Sequence, residues 1–385
     1  MNIVVISHTY IAPINRKKWQ VLALLHPDVN LTVIIPHAWP STMFNHVATI
    51  VPSDNLPNCT FVALDVAHAG NEILYTYKPR QLFATLRAAH PDLIQVEQGA
   101  SAACYAQANI IARLVNRKVR SIFFTWINWE QRHSLKHRLL FTPLEKLNLA
   151  SAHGAITGNH DAKILLAAHG FKHPIAVIPQ LGVDTDHFTP NRAELTVRKR
   201  IGFIGRLVEE KGILLLVEAF ADLAHRFPDW DLAFIGSGSA REQLWQTVLH
   251  HNLQERVALI DPLPHEQMAT FLNSTDILVL PSYDTPVWRE QFGHVLIEAM
   301  ACGVPVIGSS AGEISHVIDT AGLVFTQKNT ADLLAQLQTL MQDEGLRRSL
   351  AQLGLDRART VYSHQAIAAQ TYAFWQHIMG TKENV

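Results

Sequence analysis

The chain is poor in cysteine, with only Cys59, Cys104 and Cys302 among its 385 residues. Three thiols without metal-ligand spacing exclude a disulfide framework and suit a reducing compartment. No uninterrupted apolar run of about 20 residues is present, so no transmembrane helix is expected. The opening MNIVVISHTYIAP has too short an apolar run, and no basic segment before it, to read as a secretory signal, which makes a cytoplasmic location the expectation. Low-complexity tracts are missing as well, and 48% hydrophobic against 17% charged residues describes a globular protein. The chain carries no basic stripe interleaved with aromatics, which sets nucleic-acid binding aside. Its 21 histidines form no convincing metal-ligand cluster, so no metal is expected.

The net charge of −1 conceals an imbalance: residues 1–190 hold 16 basic and 11 acidic side chains, residues 191–385 hold 16 and 22. The basic half either faces an anionic partner or scatters its charge in solvent. Short β-branched runs alternate with longer helical patterns, the rhythm of a helix-covered parallel sheet. Strands are expected at 2–7, 31–36, 92–97, 120–125, 154–157 and 175–179, and again at 200–205, 231–236, 257–260, 276–281, 304–308 and 322–325. The chain is too long for one ordinary core, and a polar, proline-bearing segment near 183–199 separates the two series. The expected fold is therefore α/β with two doubly wound parallel-sheet domains, 1–185 and 186–363. A C-terminal helix over 364–380, rich in apolar residues at spacings of three and four, is expected to pack back on the first domain.

In such sheets ligands bind beyond the carboxyl ends of the strands, and the informative residues of the second series fall there. GRLVEEKG carries Gly205, Arg206 and Lys211 into a helix start, the chemistry of a diphosphate site, unless the two cations only pair with Glu209 and Glu210. IGSGSAREQL places Ser237 and Gly238 at the tip of a second strand-to-helix turn. FGHVLIEAMACG reads as a helix ending at Gly303, with Glu290 just before it and Glu298 about two turns in. At about 100° per residue the two acids would share a helical face and address one elongated ligand. Glu298 interrupts an apolar series, and a buried carboxylate needs a partner or a ligand.

The order GRL…KG, G-x-G, then P-S…E-x-x-G-x-x-x-x-E-A-M-A-C-G-x-P-V-I resembles the C-terminal signature of the GT-B glycosyltransferases, specifically the large retaining group called family 4. The resemblance covers residues 200–330 by motif and the whole chain by fold logic. It implies two Rossmann-like domains facing a cleft and retaining, metal-independent transfer of a sugar from a nucleotide-diphosphate sugar to a polysaccharide, glycolipid or other hydroxyl acceptor. Arg206 and Lys211 would neutralise the leaving diphosphate and Glu290 would contact the donor sugar. Gly205, Ser237, Gly238, Leu263, Phe292, Gly293, His294, Val295 and Glu298 would bind the donor, with Glu298 on the ribose.

The first half departs from that pattern. Where relatives carry two glycines after the first strand, this chain has SHTYIAPINRKKW, and Trp126 stands where many place a histidine. Asn15, Arg16, Glu97, Trp126, Asn128 and His133 are the acceptor or sugar candidates, with Trp126 and Trp129 either stacking on a sugar or packing in the core. The basic, amphipathic stretch 133–150 either touches a membrane holding a lipid-linked acceptor or is a solvated helix. A sugar-nucleotide epimerase and a silent nucleotide-sugar-binding scaffold remain the alternatives.

Overall fold

The computed structural model describes residues 1–40, 45–47, 54–130, 135–191 and 198–380, which leaves the candidate His133 outside the described residues. The chain divides into two compact units, residues 1–182 with 364–385, and residues 183–363.

In the first unit seven parallel strands form one sheet: β1 (Asn2–Ile6), β2 (Asn30–Pro36), β3 (Cys59–Leu64), β4 (Leu93–Val96), β5 (Arg120–Thr125), β6 (Gly154–Thr157) and β7 (Ile175–Val177). Their order is β7-β6-β5-β4-β1-β2-β3, so the winding reverses between β1 and β4. The apolar runs follow from burial on both faces: four of the five residues of β1 and all four of β4 are buried. Strand β3 was not among the expected strands. It lies at the sheet edge with Thr60 exposed, so its sequence lacks the continuous apolar run of its neighbours.

The helix His364–Met379 belongs to this unit and packs on the helix Lys17–Leu25. Trp375 stacks parallel to Trp19 at 5.9 Å and donates its indole N–H to Gln95 at 2.7 Å, while Tyr372 stacks on His26 and donates to Asp28 at 3.0 Å. A buried tryptophan needs such a partner for its N–H, and here the last helix and the central sheet supply one to each other.

In the second unit six parallel strands repeat the design: β8 (Lys199–Ile204), β9 (Trp230–Ile235), β10 (Val257–Ile260), β11 (Ile277–Leu280), β12 (Val306–Ser309) and β13 (Gly322–Phe325), ordered β10-β9-β8-β11-β12-β13. Here the reversal falls between β8 and β11. Doubly wound sheets open a crevice at that point, because successive helices leave for opposite faces.

Candidate functional site

The loop leaving β8 is sewn to its neighbour by backbone hydrogen bonds. Leu207 N–H donates to Ser237 O at 2.8 Å, and Ala240 N–H donates back to Leu207 O at 2.9 Å. The approach requires glycine: a Cβ on Gly238 would lie 2.3 Å from Leu207 O. On the other side, Gly212 has φ +67° and would put a Cβ 2.0 Å from Pro281 O, just beyond β11. It also opens the helix Ile213–Ala224. The segment 205–212 is thus held between the loops after β9 and β11, and it presents Arg206 and Lys211 at the crevice.

The two cations differ in state. Lys211 is largely buried: its Nζ lies 2.5 Å from Glu290 Oε2 and 4.9 Å from the centre of the Trp288 ring. Ser282 donates to the same carboxylate oxygen at 2.8 Å. The Lys211–Glu290 charge is therefore compensated internally. Arg206 has a side chain 53% exposed and, among the described residues, pairs only with Glu210, at 3.8 Å. Its guanidinium keeps most of its charge available to an incoming anion.

The following helix, His294–Ala301, begins later than the sequence pattern implies. Gly293 precedes it with φ +87°, a left-handed residue that turns the chain, and a Cβ there would meet Leu280 at 2.8 Å. Residues 290–292 are consequently not helical, and the expectation that Glu290 and Glu298 share one helical face is corrected. Glu290 is placed by tertiary contacts instead: its carbonyl accepts from Glu313 N–H at 3.1 Å, and Gly312 packs against it so closely that a Cβ would lie 2.0 Å away.

Glu298 is the fifth residue of the helix, only partly accessible, and its carboxylate has no hydrogen-bond or ion-pair partner among the described residues. Burial pushes its pKa up to about 7. Burial likewise pushes His294 down to about 4, so this imidazole is neutral at physiological pH. The helix N-terminus therefore offers an anion its dipole and N–H groups without a fixed cation on the first residue. Phe292 is buried beside it, edge-on to Tyr362 at 5.5 Å, and Val295 is half-buried on the first turn. Ser237 and Gly238 are exposed at their tip, and Leu263 is half-buried in the loop after β10.

The first-unit candidates fall around the reversal point of the other sheet, but mostly inside the protein. Glu97 is 3% exposed and accepts from Tyr10 at 2.5 Å, Gln180 at 2.9 Å and Gln95 at 2.8 Å. Trp126 donates to Gln180 at 3.1 Å and covers Gly158, where a Cβ would lie 2.0 Å from its ring. Arg16 is fully buried, donating to the carbonyls of Tyr10 and Ile11 and pairing with Asp54 at 2.6 Å. Asn128 is buried, and Asn15 donates to Thr9 O at 2.9 Å. These contacts fix the positions of Arg16, Glu97 and Trp126 within the first unit.

Sequence reasoning missed Lys18, which lies buried with its Nζ donating to Gln180 O at 3.2 Å. Its ammonium is pushed down to about 8 by burial, against the opposing pull of Glu97. It stands in the run Arg16-Lys17-Lys18, whose residue types give no sign of burial. Ser282 and Trp288, the supports of the Lys211–Glu290 pair, were also passed over, although Ser282 stands in the P-S signature.

Residues 187–356 match the family described as glycosyl transferases group 1. A D-inositol 3-phosphate glycosyltransferase from Corynebacterium jeikeium is 30% identical over 53% of this chain and 52% of its own. The chain spans about half the length of the curated relatives it matches. Among solved structures, a glycosyltransferase from Rickettsia africae is 14% identical with a TM-score of 0.72, covering 100% of this chain and 99% of that one. Anabaena HepE in complex with UDP is 17% identical with a TM-score of 0.72, covering 98% and 100%. These structures show the fold: two Rossmann-like α/β domains of the GT-B class.

Proposed function

Because residues 187–356 match the glycosyl transferases group 1 family on a chain of GT-B fold, we propose that the protein transfers a sugar from a nucleotide-diphosphate sugar to a hydroxyl acceptor. The acceptor is a saccharide or lipid-linked saccharide, the anomeric configuration is retained, and no metal is required. The observation that carries the reading is the reversal point of the second sheet, where an available guanidinium, a glycine-capped helix N-terminus and a carboxylate without a partner among the described residues occur together.

The roles follow from the states of these groups. Arg206 meets the diphosphate with its available charge, and the N–H groups at His294 and Val295 meet one phosphate. Glu298 accepts from the ribose hydroxyls, which supply the hydrogen bonds its carboxylate lacks. Lys211, held by Glu290 and Ser282, stabilises charge developing on the leaving diphosphate without moving, the arrangement by which preorganised cations lower a barrier. The anomeric carbon–oxygen bond to the diphosphate breaks and a bond to the acceptor oxygen forms. The acceptor proton passes to the departing phosphate. UDP is the first nucleotide to try, since HepE was solved with it.

Calorimetric titration with UDP, GDP and ADP in chelator tests the reading. One nucleotide should bind the wild type and lose most of its affinity for Arg206→Ala. Binding of none by folded protein, or equal binding by the variant, refutes it. Incubation with donor alone then separates transfer from epimerisation, because an epimerase converts the donor with no acceptor present.

A further inference from the structure

The loop that leaves β11, residues 281–289, is pinned at its base to two neighbouring loops of the second unit. Tyr283 N–H donates to Glu210 O at 2.9 Å and its hydroxyl donates to Glu209 Oε1 at 3.1 Å, which ties the loop to the segment after β8. Asp284 N–H donates to Gln327 Oε1 at 2.7 Å, which ties it to the segment after β13. Beyond these anchors the chain makes one tight turn. Thr285 N–H donates to Trp288 O at 2.9 Å, and the Thr285 hydroxyl donates to the same carbonyl at 3.4 Å. Pro286, whose ring presets its own φ, and Val287, 76% exposed, form the tip. The position of Trp288 is thus set by hydrogen bonds of the loop itself.

That position is beside the reacting end of the site. Lys211 Nζ lies over the Trp288 ring, 4.9 Å from its centre. The side chain is only half-buried, and its indole N–H reaches solvent without a hydrogen-bond partner among the described residues. Trp375 and Trp126, by contrast, spend theirs on Gln95 and Gln180. A tryptophan in this state offers an apolar surface and an unused donor together. A pyranose is complementary to both, with C–H groups on its ring faces and hydroxyls around its rim. In the proposed reaction the sugar is bonded to the diphosphate that Lys211 meets, so it comes within a ring's breadth of that ammonium, as the indole does. The charges flanking the ring are already paired, Lys211 with Glu290 at 2.5 Å and Arg289 with Asp284 at 3.6 Å, so neither cation is left over for a carboxylate on the sugar.

From this geometry we infer that Trp288 binds the sugar of the donor, an uncharged pyranose, by laying the part of the indole that Lys211 leaves open against ring C–H groups and donating its N–H to a hydroxyl. The inference rests on the proposed transfer reaction and deepens it by naming a residue that reads the sugar rather than the nucleotide. The competing role for the ring is a cover that keeps water from the Lys211–Glu290 pair, and the two roles differ in which ligand feels its loss.

The test is calorimetric titration of the full chain, in chelator, with UDP, GDP and ADP and with the glucose conjugate of each. Trp288→Ala and Trp288→Phe accompany the wild type, each shown to be folded by a cooperative melting transition. For the nucleotide that binds, the wild type should hold the glucose conjugate at least about fivefold more tightly than the bare nucleotide. Trp288→Ala should lose that advantage while binding the bare nucleotide within about twofold of the wild type, and Trp288→Phe, which keeps an aromatic face but no N–H, should fall between the two. Equal wild-type affinity for nucleotide and conjugate, or an undiminished advantage in both variants, overturns the inference. So does a parallel loss of both ligands in Trp288→Ala, because the ring then acts only as a cover on the Lys211–Glu290 pair. Binding of bare nucleotide with no gain from the sugar removes the role of Trp288 and leaves the proposed reaction standing, whereas binding of no ligand by the folded wild type removes both.

Discussion

Replacing Glu298 with glutamine should make the protein more stable and less able to bind nucleotide, and the gain should depend on pH in one direction. In the folded protein the Glu298 carboxyl titrates near 7 against an ordinary 4.5. Below pH 4.5 both folded and unfolded chains hold the proton, and burial of the neutral acid costs nothing extra. As pH rises from 4.5 to 7 the unfolded chain releases its proton first, so folding is progressively penalised, and above 7 the penalty is complete. A shift of this size corresponds to roughly 3 kcal/mol at most, and partial access of water to the carboxylate brings the expectation to about 2 kcal/mol. Glutamine has the same shape and no charge to bury. Glu298→Gln should therefore melt about 4–8 °C higher at pH 9, taking about 2–4 °C per kcal/mol for a unit of this size, and show no gain at pH 4.5. Scanning calorimetry at both values checks this. UDP, or whichever nucleotide binds, should raise the melting temperature of the wild type and leave the variant unmoved, since the carboxylate is the better acceptor for ribose hydroxyls. A variant that is no more stable at pH 9 than the wild type would refute the claim that this carboxylate is buried without a partner.

The remaining expectations separate binding from folding. Arg206→Ala should change stability by less than about 0.5 kcal/mol, because its one pair is long and exposed, while nucleotide affinity collapses in titration calorimetry. Lys211→Ala should cost about 3–5 kcal/mol in chemical denaturation, since it strands the buried Glu290 carboxylate, and Lys211→Met should cost as much; a loss below about 1 kcal/mol would mean the pair is solvated. Gly212→Ala should destabilise by more than about 1 kcal/mol, because a left-handed backbone and a carbonyl 2.0 Å from the new Cβ both oppose it. Trp126→Phe should lose about 1 kcal/mol with the Gln180 hydrogen bond and leave the KM for donor unchanged; a raised KM with unchanged stability would instead place the ring against the substrate.

Much of the fold was legible in the sequence because its strands are buried on both faces. Alternation of apolar and polar residues is absent from runs such as IVVI (3–6) and ILVL (277–280), and continuous β-branched and leucine runs bounded by turns have few other uses. The edge strand Cys59–Leu64 escaped for the complementary reason, since one free edge lets polar residues into the run. Glycine punctuation located the site loops, yet it misled over the helix start: Gly293 looked like an interior residue of FGHVLIEAM, whereas its positive φ ends the loop. Local periodicity cannot register such a turn, so a face computed from residue 290 onward had no helix beneath it.

The two reversal points show why pattern alone could not rank the candidate residues. Both sheets bring charged and polar side chains to the carboxyl ends of the strands flanking the switch, Glu97 after β4 and Arg206 after β8. In the first unit Tyr10, Gln95 and Gln180 direct their hydrogen bonds to Glu97, and Lys18 lies buried close enough to feel its charge. Most of these partners come from distant stretches of chain, so satisfaction of Glu97 is a tertiary property. In the second unit the Lys211–Glu290 pair is satisfied in the same manner, but Glu298 is left without a partner among the described residues and Arg206 with only a distant one. A folded chain tolerates a half-buried carboxylate without a protein partner, at a cost of order kcal/mol, where something other than folding retains it. Residue type and spacing nominated acids in both units equally; the hydrogen-bond accounting distinguishes them, and it favours Glu298 and Arg206 of the second unit for the work of binding a ligand.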